Sequence, residues 1–187
     1  MSVECTAPIA DETLADYWTG DLAAPAAAAV EVEEHVFACS SCARRLDAVA
    51  SLGEGLASLA RQGRISGVIS HALLNRLQRD GVTVRFYALS PGETVPCAVF
   101  PGDDVVVVAM RADLSGVRTV NLLAAGPGDV TFANLSDVPV SSQYDVLWAT
   151  PGAAIRQMPS QRVRLTLRSA EREGVLGEYV LDHSATP

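Results

Sequence analysis

The chain has 187 residues, 49% of them apolar, and a formal charge of −8 from 22 acidic and 14 basic side chains, every basic one Arg. That length accommodates one large domain or two small ones, and the apolar content excludes disorder throughout. The acidic balance repels phosphate backbones, which argues against direct nucleic-acid binding and favours a basic protein surface as partner.

The opening MSVECTAPIADE lacks the basic start and apolar core of a secretory signal. The longest apolar runs, AAPAAAAV and VVVVAM, fall far short of the roughly 20 residues that a membrane helix needs. The expected location is therefore cytoplasmic, with no membrane partner. In a reducing compartment four Cys point to metal or redox chemistry before they point to disulfides.

Up to about Asp80 the Ala, Leu and charged residues follow helical spacing. DETLADYWTGDL predicts a first helix with Asp11 as N-cap and Gly20 as its stop. Pro25 suits the first turn of a second, PAAAAVEVEEHVFAC. Ser40 or Ser41 can cap a third, which carries Leu46, Val49 and Ala50 on one side and runs toward Leu59. RISGVISHALLNRLQRD predicts a fourth, with Ile65, Val68, Ile69, Leu73 and Leu77 at helical spacing before Gly81 closes it.

From Val82 the texture changes to short β-branched runs between Gly, Pro, Asp and Ser. VTVRFYAL, TVPCAVF, DVVVVAM, RTVNLL, VTFANL, YDVLWAT, RVRLTLR and GEYVLD read as strands, joined by turn chemistry such as SPGE and AGPGD. The expected fold class is α+β. A small helical domain over 1–80 precedes an all-β sandwich or jelly roll over 81–187, for which a cupin-like shape is possible.

Metal-ligating residues concentrate in HVFACSSC. His35 and Cys39 are four apart, which places both on one helix face, and Cys42 follows in a Cys-Ser-Ser-Cys turn. A helix starting there would favour thiolates through its amides and dipole, as would Arg44 and Arg45. Three soft ligands suit tetrahedral zinc, and Cys5, ahead of the first helix, is the natural fourth.

HVFACSSC matches the His-x3-Cys-x2-Cys motif of the zinc-binding anti-sigma factors, and DETLADYWTGDL resembles that family's first helix. The resemblance covers about residues 5 to 60 and is strongest from Tyr17 to Cys42. It implies a small helical domain that grips an extracytoplasmic-function sigma factor and keeps it from RNA polymerase, with a fourth ligand upstream of the first helix. The absence of a membrane helix is similar to the cytoplasmic type, which carries an appended sensory domain. Tyr17, Trp18, Leu22, Val32 and Val36 are then expected to pack within the bundle or against sigma.

Elsewhere the signals are plainer. His71 reads as a packed or surface residue, Cys97 as a small buried hydrophobe, and His183 as exposed in the tail. After Gly81 only His183 could serve a metal-binding cupin, which needs several His. Asp103 and Asp104 fit a β-turn before VVVV. No GxSxG elbow, phosphate loop or Ser/His/Asp set supports an enzyme. The leading expectation is thus a zinc-containing anti-sigma factor, whose β domain senses a signal or forms a homo-oligomer. The alternatives are a zinc-stabilised ligand-binding or sensory sandwich without sigma binding, and a thiol redox switch.

Overall fold

The LADYW segment lies on the first helix, α1 (Asp11–Thr19), in a computed structural model that describes residues 5–22, 26–62, 66–140, 142, 144–171 and 173–185. Its N-cap is Ala10, which makes no side-chain cap. Asp11 does not cap because its carboxylate receives the Arg45 guanidinium, with Nε at 3.0 Å. Its charge still complements the helix dipole. Gly20 ends the helix as expected: at φ 85° its amide turns back to Asp16 and Tyr17 carbonyls. Then come α2 (Ala26–Ala38) and α3 (Ser40–Arg61). The role expected for Pro25 falls outside the described residues.

The chain divides at Leu59/Ala60 into two units, ahead of the boundary expected near Asp80. The reason lies in RISGVISHALLNRLQRD, which is not one helix. Val68 and Ile69 belong to a short strand, β1 (Gly67–Ile69), and helix α4 (His71–Arg79) follows. Ser70 makes the break: its backbone is extended, and its hydroxyl accepts the Leu73 amide at 3.1 Å as a true N-cap. Val68 and Ile69 pack into different apolar clusters, as adjacent strand residues do. Ile65 lies outside the described residues.

Each of the eight segments expected as strands forms one: β2 (Val84–Leu89), β3 (Thr94–Ala98), β4 (Val105–Arg111), β5 (Thr119–Ala125), β6 (Thr131–Pro139), β7 (Asp145–Pro151), β8 (Gln161–Ser169) and β9 (Val175–Ser184). A short helix, α5 (Gly152–Arg156), follows β7. Two mixed sheets result, in the orders β1-β7-β4-β2 and β3-β9-β8-β5-β6. The pairs β2–β4 and β3–β9 are parallel, so the sandwich alternative holds and an all-antiparallel jelly roll does not.

The core lies between the sheets, with Val106, Val108 and Met110 of β4 facing Leu122, Leu165, Leu167 and Leu181 of the other sheet. Val107 and Ala109 point the opposite way and are buried with Leu147 beneath Leu74 of α4. This is why VVVVAM does not alternate with polar residues: α4 covers its outer face, and a strand buried on both faces is apolar throughout.

Two tyrosines tie the sheets together. The Tyr87 hydroxyl donates to the Ala98 carbonyl at 2.7 Å and accepts the Ala98 amide at 3.0 Å, sealing the edge of β3 from β2. The Tyr179 hydroxyl donates to the Arg111 carbonyl at 2.6 Å, and burial pushes its pKa up to about 12. Gly177 makes room for that phenol, since a Cβ there would sit 2.1 Å from the hydroxyl oxygen. Replacing Tyr179 with Phe takes the donor from the Arg111 carbonyl, so denaturant unfolding of the full chain should lose about 1 kcal/mol. An unchanged midpoint would show that solvent reaches Arg111.

Candidate metal centre

In the first unit four ligand-type side chains meet. Cys5 precedes α1, His35 lies in the last turn of α2, Cys39 is the single residue between α2 and α3, and Cys42 is in the first turn of α3. Their donor atoms all lie within 4.8 Å of one another. Cys5 Sγ is 3.4 Å from His35 Nε2 and 4.0 Å from Cys42 Sγ. A tetrahedral ion with metal–sulfur bonds of about 2.3 Å separates its sulfurs by about 3.8 Å. The group therefore has the dimensions to bind one metal ion, and the structure brings together the four residues singled out in the sequence.

Local backbone chemistry sets this geometry. The Cys39 amide still bonds the His35 carbonyl at 2.8 Å, which keeps the two residues on one face although Cys39 lies just past α2. Its own carbonyl accepts the Ala43 amide at 3.0 Å, so Cys39, not Ser40 or Ser41, is the N-cap of α3. The Cys42 amide, the Cys5 thiol and the Ser41 amide donate to the Cys39 sulfur and outweigh desolvation, which lowers its pKa to about 6. The Ala7 amide favours a Cys5 thiolate, but desolvation and the Cys39 and Cys42 sulfurs prevail and raise its pKa. Three thiolates cannot crowd together without a cation to neutralise them.

Around the cluster the helices are clamped by contacts that spacing alone does not reveal. Arg45 of α3 holds Asp11 of α1. The Tyr17 hydroxyl of α1 donates to Glu33 of α2 at 2.9 Å. The Trp18 ring lies against Gly53 of α3, where a Cβ would fall 2.1 Å from the indole. Leu14, Val32 and Cys42 are the buried apolar side chains among the unit's described residues. So small a core rarely sustains a fold of this length alone, and a metal staple is the usual remedy.

Charge is segregated with the site. Residues 1–59 hold ten acidic and two basic side chains, whereas the remainder holds twelve of each. The whole net charge thus resides on the unit that carries the cluster.

The other singled-out residues serve structure. His71, half exposed, approaches Asp145 at 3.3 Å. Cys97 is a buried strand residue, as expected. His183 is not exposed: it faces inward on β9, with Nε2 3.3 Å from the Met158 carbonyl. Its place in the alternation of LGEYVLDH marks it as inward once that run is read as continuing to Ser184. Asp103 and Asp104 belong to the turn before β4. No helix among the described residues is long and apolar enough to cross a membrane.

No family model and no curated protein matches the chain. Among solved structures, the cysteine protease inhibitor EhICP2 from Entamoeba histolytica is 13% identical at a TM-score of 0.29, over 54% of this chain and 96% of its own. The N-terminal domain of phage TP901-1 ORF48 is 11% identical at 0.33, over 55% of this chain and 98% of its own. Neither likeness bears on what this chain does.

Proposed function

We propose that the chain is a cytoplasmic, zinc-containing anti-sigma factor that sequesters an extracytoplasmic-function sigma factor and so represses transcription. The observation that carries this reading is the convergence of Cys5, His35, Cys39 and Cys42 at the α2–α3 junction, in the His-x3-Cys-x2-Cys order of that family. Three thiolates and an imidazole form a soft set that suits zinc over magnesium or calcium. When bound, zinc would neutralise the thiolates and cross-link the segment before α1 to that junction.

The chain's own residues do the rest. His35 and Cys39 fix the end of α2, Cys42 fixes the start of α3, and the Tyr17–Glu33 and Asp11–Arg45 contacts set α1 against both. The helices then present an acidic surface, on the unit that carries all the net charge. Such a surface complements the Arg- and Lys-rich faces with which a sigma factor meets DNA and polymerase, while buried apolar contacts supply most of the affinity. The sandwich would sense the signal or pair two copies.

In vitro transcription with the sigma factor encoded beside this protein tests the reading. Full-length protein should carry one zinc per chain and abolish sigma-dependent transcripts, and His35→Ala should restore them. Zinc-loaded protein that neither binds nor inhibits that sigma factor would favour the zinc-stabilised ligand-binding or sensory sandwich instead.

A further inference from the structure

Helix α2 carries its ligand on one side and leaves an apolar pair in water on the other. Val32 is buried and His35 turns to the metal cluster, whereas positions 30, 33, 34 and 37 are all exposed. Those four recur at the i, i+3, i+4, i+7 spacing of one helix face, which at about 100° per residue lies roughly opposite Val32. Phe37 is 91% exposed and Val30 50%. Within the helical unit their burial is forgone. Between them sit Glu33, held by the Tyr17 hydroxyl, and Glu34. No Arg or Lys lies on α2.

We infer that this face, Val30–Glu33–Glu34–Phe37, is the docking surface for an amphipathic helix whose apolar stripe is flanked by Arg or Lys. The inference rests on the anti-sigma reading and gives the partner's contact a place and a chemistry. Charge complementarity selects the occupant. Apolar residues one helical turn or two apart would cover Phe37 and Val30, and flanking cations would meet the two glutamates. A second copy of the same face is a poor occupant, because Glu33 and Glu34 would oppose like charges. Nucleic acid is repelled outright. Because His35 and Cys39 ligate from the other side, substitutions on this face leave the metal cluster's donors in place.

The test uses full-length, zinc-loaded protein and the sigma factor encoded beside it, with binding kinetics at several salt concentrations and zinc content measured for each variant. Phe37→Ser should raise the dissociation rate at least about tenfold, as loss of a central anchor does. Glu34→Arg should chiefly slow association and flatten its salt dependence, as loss of a steering charge does. Should Phe37→Ser lower the zinc content, the Glu34→Arg association rate decides. If zinc-loaded variants bind like the unaltered chain, the face is not the contact and the docking inference falls while the anti-sigma reading stands. If the unaltered chain does not bind the sigma factor, both fall. A homodimer that Phe37→Ser disrupts would assign the face to a second copy and overturn the inference too.

Discussion

Removing the proposed zinc with a chelator, or replacing His35 with Ala, is expected to melt the helical unit and leave the sandwich standing. The first unit has three buried apolar side chains among its described residues, too few to offset the chain entropy of some fifty ordered residues. Metal binding in small zinc modules contributes on the order of 10 kcal/mol to folding. The second unit draws its core from residues after Ala60 and owes nothing to the cluster. The chain supplies its own reporters, one tryptophan in each unit: Trp18 against Gly53, and Trp148 buried in the sandwich. With Trp148→Phe the remaining emission should shift to that of exposed indole on chelation. With Trp18→Phe it should not move. Loss of both signals together would show that the two units fold as one.

Asp103→Ala should cost the sandwich about 3 kcal/mol, the low end for breaking a buried ion pair because one partner is partly solvated. The Asp103 side chain is 6% exposed and Arg85 37%. Arg85 grips the carboxylate with both ends of its fork, at 3.0 and 3.1 Å, and the Phe100 amide donates to it at 2.8 Å. The Arg156 guanidinium meets the Phe100 and Asp103 carbonyls of the same turn. Desolvation raises the Asp103 pKa, but Arg85, the Phe100 amide and the Arg156 charge outweigh it and hold the carboxyl below its ordinary 3.8. A carboxylate depressed in the folded state stabilises the fold fully above its unfolded pKa. That contribution is lost as pH falls from about 4 through the lower folded value. The sandwich should therefore lose stability across that acid range, and Asp103→Asn should flatten the dependence there. Acid melts that superimpose for both chains would remove the pair from the account.

Much of this fold is legible in the residues because local and global preferences agree. Every β-branched run after Val82 forms a strand, since each is bounded by turn residues and has a face to bury. The metal cluster is legible because His35, Cys39 and Cys42 are near neighbours and helical spacing makes them converge. What spacing does not carry is competition. Asp11 has the composition of a cap and yields that role to pair with Arg45, some thirty residues on. Ser40 and Ser41 are good caps, yet Cys39 takes that place, its sulfur accepting the Ser41 and Cys42 amides. Val68 and Ile69 fit a helical stripe as well as a strand, and pairing with β7 decides between them. The Asp11 and Val68–Ile69 misses turn on partners distant in the chain, which a window of local sequence does not contain.

The parallel pairing of β3 with β9 has a consequence for the order in which the protein comes into being. Thr94 to Ala98 find their ladder on Val180 to Ser184, so the larger sheet stays open until Ser184 has been made. All four ligands of the metal cluster, by contrast, lie within the first 42 residues, and their unit ends at Leu59. At ribosomal speeds of about 5–20 residues per second, the helical unit emerges on the order of ten seconds before the sandwich can close. The proposed zinc can therefore be captured while the rest of the chain is still being synthesised.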